Sequence, residues 1–184
     1  MESLSDNALM ARVRDGDLDQ LSLLFARYKR PLMGFFYGLT RDTEASEDLL
    51  QNTFFRVLRY RHLFRGDGEF RSWLFHIARN VNHDRYRKEG KLKKESIDLW
   101  ANRLTHEDHS SNQWIRQEEH ERLAAALAKL DEDKREVLLL SKYQEKRYRE
   151  IGLVLGCTEA AVKVKVFRAM NELRQIYMDM EKKQ

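Results

Sequence analysis

A period of 3.6 residues runs through almost the whole of this chain, and a single proline, Pro31, stands in its way. Eight glycines in 184 residues, with no sustained alternation of β-branched residues, leave little material for strands. The sequence therefore predicts an all-α protein. "SDNALMARVRDGD" reads as a short helix capped by Ser5 and closed at Gly16. "LDQLSLLFARYKRPLMGFFYGL" reads as a longer one that Pro31 kinks or divides in two. A third starts near Thr43 with acidic residues in its first turns, as the helix dipole favours. Two glycines within 63–69 break the pattern, and a fourth helix follows over about 70–89. Residues 90–113 lose periodicity and gain Ser, Asn, His and charge, the composition of a linker in which Leu99, Trp100 and Leu104 can dock. Helicity returns at about 114 and continues, with Asp131 or Asp133 as a cap, almost to the end. The predicted architecture is two small helical domains, 1–90 and 114–184, joined by a linker over 91–113.

Charge is distributed in blocks. The net charge is +4, made of −3 over residues 1–50, +8 over 51–94, −6 over 95–133 and +5 over 134–184. Two separated basic blocks suit two contacts with a polyanion. The lone Cys157 excludes an internal disulfide and a cysteine-based zinc site, and fits a reducing compartment. The start "MESLSDNALM" lacks a basic stretch followed by an apolar one, and the longest aliphatic run is "VLLL", 137–140. A cytoplasmic protein with no secretory signal and no membrane insertion is expected. Neither a phosphate-cradling glycine loop nor a nucleophile with an oriented base stands out, so no enzyme activity, metal or cofactor is expected. "HEDH", 106–109, reads as linker rather than a metal site, and Cys157 as a structural thiol rather than a redox switch.

Two segments carry chemistry. On a helix over 70–89, Phe70, Leu74, Ile77 and Val81 share one face, and Trp73, His76, Asn80, His83 and Arg87 form a second stripe beside it. Helix stability does not require that stripe. Its ring, imidazoles, amide and guanidinium can stack on bases, bond their edges and pair with phosphate, although a half-buried Trp beside a solvated face is equally compatible. The second segment is "YREIGLVLGCTEAAVKVKVFRAMNELR", 148–174, with the grammar of a helix-turn-helix. Gly156 suits the left-handed turn position, Thr158 the next N-cap, and Gly152 a close helix crossing. Val162, Val166, Ala169 and Leu173 form the inward stripe. Ala160, Lys163, Val164, Phe167 and Arg168 face outward with Lys165 on the flank, a surface able to enter a major groove. An ordinary helical hairpin is the alternative.

With these motifs in place, the chain resembles a bacterial sigma factor of the extracytoplasmic-function (ECF) type, within the sigma-70 superfamily. "ASEDLLQNTFFRVLR", 45–59, is similar to the family segment "AEDLVQETFLRVWR", and "FRGDGEFRSWLFHIARN", 64–80, to "FRGEGSFRAWLFRIARN". The helix-turn-helix resembles "YEEIAEILGCSVGTVKSRLHRARKRLR". The resemblance implies a protein that binds core RNA polymerase, recognises the −10 and −35 promoter elements and assists melting. Residues 1–90 would be sigma region 2 and residues 114–184 region 4. Glu47, Asp48, Leu49 and Gln51 would meet the clamp helices of the largest polymerase subunit, and the C-terminal domain its flap. Without the resemblance, Glu47 and Asp48 read only as dipole compensation. The loop Phe64–Glu69 would capture a flipped base, extruded at a cost of a few kcal/mol that a pocket returns. Phe64, Trp73, His76, Asn80, His83 and Arg87 would face −10 DNA. Thr158, Glu159, Ala160, Lys163, Val164, Lys165, Phe167 and Arg168 would face the −35 element. An anti-sigma factor is a further implied partner.

The chain departs from that pattern in places. Leu130-Asp131 stands where the family has Leu-Pro, His76 where Arg is frequent, and Val162-Lys163-Val164-Lys165 where Val-Lys-Ser-Arg is usual. Lys165 lacks the bidentate geometry of arginine. A stand-alone helix-turn-helix regulator and a helical adaptor for an acidic protein are the remaining readings. The basic 70–89 helix and the acidic 43–48 turn argue against the first; sequence-dependent duplex binding separates DNA from the second.

Overall fold

The computed structural model describes residues 4–92, 121–143 and 147–182, and every regular element among them is helical. The expected linker beyond residue 92, the "HEDH" cluster and the expected helix start near 114 lie outside these residues. Helix α1 is Asp6–Arg14, α2 Gln20–Thr40, α3 Thr43–Arg59 and α4 Phe70–Leu92, with one 3-10 turn at Arg61–Leu63. The second half has α5 over 121–128, α6 Glu132–Tyr143, α7 Tyr148–Leu155 and α8 Glu159–Glu181.

Local chemistry accounts for the boundaries. The Ser5 hydroxyl accepts the Ala8 N–H at 3.2 Å, and the Asp42 carboxylate accepts that of Ala45 at 3.1 Å. The 21-residue α2 runs through Pro31 as one helix, so of the two expectations, a kink or a division, the division is set aside. A proline inside a helix costs about 3 kcal/mol. Here Leu24, Tyr28, Leu32, Phe35, Phe36 and Leu39 are buried on both sides of it, so tertiary packing keeps the helix continuous.

The core of the first half is aromatic. Phe35, Phe36, Phe70 and Phe75 have no exposed surface, and Phe35 meets Phe75 edge-on at 5.4 Å. The predicted inward stripe of α4, Phe70, Leu74, Ile77 and Val81, is buried throughout. Burial extends to Phe75, Ala78 and Asn82, because α4 touches α1, α2, α3 and α7. Asn82 is fully buried, and neither atom of its amide has a hydrogen-bond partner among the described residues.

In the second half, Arg135 of α6 ties the end of α5 together. It donates to the carbonyls of Leu127, Ala128 and Leu130 at 2.8–2.9 Å, groups that a helix C-terminus leaves unpaired. It also reaches the Leu39 carbonyl of α2 at 3.1 Å. Between α7 and α8, Gly156 takes φ 68°, ψ 35°, and Thr158 caps α8 by accepting the Ala161 N–H at 3.2 Å. The Cys157 N–H returns to the Gly152 carbonyl at 2.9 Å, and a Cβ on Gly152 would stand 2.5 Å from the Cys157 carbonyl oxygen. Val162, Val166, Ala169 and Leu173 are the buried residues of α8, as their spacing requires. The halves meet where α6 lies on α2 and α7 on α4.

Two substitutions test this packing. Gly152→Ala forces backbone apart and is expected to cost about 2 kcal/mol or more, read by urea denaturation. Asn82→Ala removes an unpaired buried amide and is expected to leave stability unchanged or raise it by ~1 kcal/mol; a loss above that would show that the amide is satisfied in solution.

Candidate polymerase and promoter-DNA interfaces

Three surfaces gather the residues singled out by sequence. The first is the outer face of α3, where Glu47, Asp48 and Gln51 are exposed. Leu49 is not part of it. It is 4 % exposed and turned into the core, which corrects its placement on a partner-facing surface. Phe55 stands on that face instead, 62 % exposed on the same side as Asn52 and Arg59. Its signal was present in the sequence: Phe55 lies one turn on from Gln51 and about 100° around the helix from Phe54, on the side that carries Asn52 and Arg59. Arg56 crosses to Asp84 on α4 at 2.7 Å, and this hydrogen bond holds the Asp84 carboxyl below its ordinary range.

The second surface combines α4 with the loop before it. His76, Asn80 and Arg87 are exposed, and Trp73 and His83 are half-buried. Trp73 rests on Phe64 and Phe70 with ring centroids 5.4 and 6.1 Å away. Phe64 is 3 % exposed, a corner of this aromatic cluster, which corrects its assignment to the DNA-facing set. The loop residues 65–69 are exposed, and Arg65, Asp67, Gly68 and Glu69, with Trp73 and His76, line an open cleft of about 250 Å³.

A residue that sequence reasoning missed holds this loop. The Asn7 amide of α1 donates to the Gly68 carbonyl at 2.9 Å and accepts the Phe70 N–H at 2.8 Å. The Phe70 N–H belongs to the unpaired first turn of α4, so Asn7 caps α4 from 63 residues away and fixes the loop exit. No local pattern announces such a cap. Nearby, Tyr28 donates to Asp6, and burial above all, with that bond, pushes its phenol up to about 12.

The third surface is α8. Thr158, Glu159, Ala160, Lys163, Val164, Lys165, Phe167 and Arg168 are all exposed. Thr158 is engaged as the cap. Lys163 pairs with Glu159 at 2.9 Å, a bond that raises its pKa and keeps it charged.

Polar contacts join the second surface to α6 and α7. Ser72 donates to Glu150 at 2.5 Å and Arg147 to Glu69 at 2.6 Å. Glu136 of α6, 3 % exposed, takes Arg79 at 3.0 Å, and His83 Nε2 lies 3.3 Å from its other oxygen. Leu153 of α7 borders the cleft that holds Trp73 and His76. Among the described residues no cluster of His, Cys, Asp and Glu could hold a metal, and no helix is long and apolar enough to cross a membrane.

This arrangement is that of a two-part sigma-70 protein: residues 24–92 match the model of Sigma-70 region 2 and residues 120–173 that of Sigma-70, region 4. RNA polymerase sigma factor CarQ of Myxococcus xanthus is 31% identical, over 94% of this chain and 97% of its own length. The ECF RNA polymerase sigma factor SigM of Bacillus subtilis is also 31% identical, over 84% and 93%. Among solved structures, CnrH in complex with the cytosolic domain of CnrY has a TM-score of 0.70 at 26% identity, covering 93% of this chain and 96% of that one. The chain belongs to the ECF RNA polymerase sigma factors, non-enzymatic proteins that bind promoter DNA and start transcription.

Asn7→Ala tests the loop brace. Loss of a cap costs about 1 kcal/mol. Amide exchange is expected to quicken at 68–70 while the α8 amides keep their protection; uniform change in both would point to global destabilisation instead.

Proposed function

We propose that this sigma factor divides its work among the three surfaces. The outer face of α3, with Glu47, Asp48, Gln51 and Phe55, binds the clamp helices of core polymerase. The α4 stripe of Trp73, His76, Asn80, His83 and Arg87, with the 65–69 loop, engages and opens −10 DNA. The exposed face of α8 reads the −35 element, its domain resting on the polymerase flap. Regions 2 and 4 correspond to residues 1–90 and 114–184, joined by a linker over 91–113, and the protein acts in the cytoplasm. One observation carries the reading: α4 exposes His76, Asn80 and Arg87 as a stripe beside a cleft, while its apolar face is spent in the core. Neutral packing needs no such stripe, and base stacking with edge bonding does. A protein that holds this sigma factor inactive is part of the proposal. The Bartonella quintana sigma factor RpoE, of the same fold, was solved with the anti-sigma factor NepR, and this chain leaves Phe55, Leu63 and Phe167 exposed for a partner.

Binding to purified core polymerase, followed by run-off transcription on a library of upstream fragments, tests the whole assignment. New transcripts sharing two upstream motifs are expected. Asn80→Ala should lower transcription about tenfold, the scale of one lost base contact, with core binding intact. Asp48→Ala with Phe55→Ala should weaken core binding itself. Equal transcription from wild type and Asn80→Ala would remove Asn80 from the −10 surface.

A further inference from the structure

The outward ridge of α8 is apolar where a base-reading helix more often carries hydrogen-bonding groups. Ala160, Val164 and Phe167 follow one another at i, i+4 and i+7, so they lie on one line along the helix. Val164 is 48 % exposed and Phe167 67 %, opposite the buried Val162, Val166, Ala169 and Leu173. The cations flank this line. Lys163 stands on one side, tied back to Glu159 at 2.9 Å, and Lys165 and Arg168 are exposed on the other. Apolar side chains offer nothing to guanine O6 and N7, to adenine N6 and N7, or to cytosine N4. The one major-groove group that rewards apolar contact is the thymine C5-methyl. The flanking charges suit phosphate, which positions the helix without specifying sequence.

We propose that the α8 ridge reads thymine methyl groups, with Val164 and Phe167 as the specificity-determining residues and Lys165 and Arg168 as phosphate contacts. The proposal rests on the assignment of α8 to the −35 element and names the base chemistry that element presents. Its sequence would then carry thymines, on either strand, at the steps facing Val164 and Phe167. The occupant is a duplex rather than another protein, because the ridge follows the capped turn of a helix-turn-helix and is bordered by positive charge.

Deoxyuridine isolates the methyl group, since it pairs as thymine does and lacks only the C5 substituent. The full chain is assembled with core polymerase on its selected promoter, and each −35 thymine is replaced in turn by deoxyuridine. Wild type is expected to lose about fourfold in promoter affinity at one or two positions, the equivalent of one buried methyl. Val164→Ala and Phe167→Ala, exposed substitutions in a good helix former, should bind the thymine promoter more weakly and lose the sensitivity to deoxyuridine at the matching step. Indifference of wild type to every deoxyuridine, while −35 base-pair changes still weaken binding, would overturn methyl reading and leave the −35 assignment standing. Indifference to −35 base-pair changes as well would overturn both. Equal loss by the alanine variants on thymine and deoxyuridine promoters would mean that the ridge meets protein rather than bases, and the proposal would fall.

Discussion

The packing of α4 governs the rest of the molecule. Phe70, Leu74, Phe75 and Ala78 have no exposed surface, and Ile77 and Val81 less than a tenth. Each residue of a helix is turned about 100° from the last, so locking these side chains fixes every other direction around α4. Trp73, His76, Asn80, His83 and Arg87 gain a defined orientation at no cost of their own. Trp73 is the link, since its ring belongs to the cluster of Phe64 and Phe70 and still borders the cleft. Aromatic side chains suit this double duty because they bury large area and lose little rotamer freedom. The buried amide of Asn82, unpaired among the described residues, works against the packing of α4.

The contact between the two halves has a different character. Its apolar part continues the core of both halves, with Leu139 of α6 laid against Gly38 of α2 so closely that a Cβ there would meet it at 2.6 Å. The remainder is ionic and hydrogen-bonded, centred on Glu136 with Arg79 and His83. A buried pair of this kind adds little stability over an apolar substitute, yet removing one partner is expensive because the other charge is left in low dielectric. Arg147 with Glu69, half-exposed on both sides, contributes less than about 1 kcal/mol.

Legibility followed the range of the interaction. Signals confined to a few residues were readable: Ser5 and Thr158 as caps, Gly156 as the left-handed turn, and the inward stripes of α4 and α8. Leu49 and Phe64 were misjudged for the opposite reason, since both sit inside segments whose resemblance is functional. Only the angle around the helix, or the aromatic cluster, separates a contact residue from a supporting one. Pro31 carries a local signal to break a helix, and burial on both sides of it prevails. Asn7 and Glu136 were invisible because their partners lie 63 and more than 50 residues away. Both are polar residues of kinds that a sequence scan assigns to solvent.

The same geometry links DNA engagement to the position of the second half. His83 belongs to the stripe proposed to face −10 DNA, and its imidazole already stands beside Glu136; Arg79, one turn earlier, is bonded to that carboxylate. A phosphate that drew both groups away would leave a carboxylate 3 % exposed and uncompensated, a penalty of about 3–5 kcal/mol. That penalty vanishes if α6 withdraws as well and Glu136 regains water. Use of His83 and Arg79 by DNA and separation of α6 from α4 are therefore favoured together. Leu153 adds to the coupling, because it borders the cleft beside Trp73 and leaves with α7. On the proposed −10 assignment, whatever stabilises the separated arrangement then raises the apparent affinity of the α4 stripe for DNA without touching it, as linkage requires.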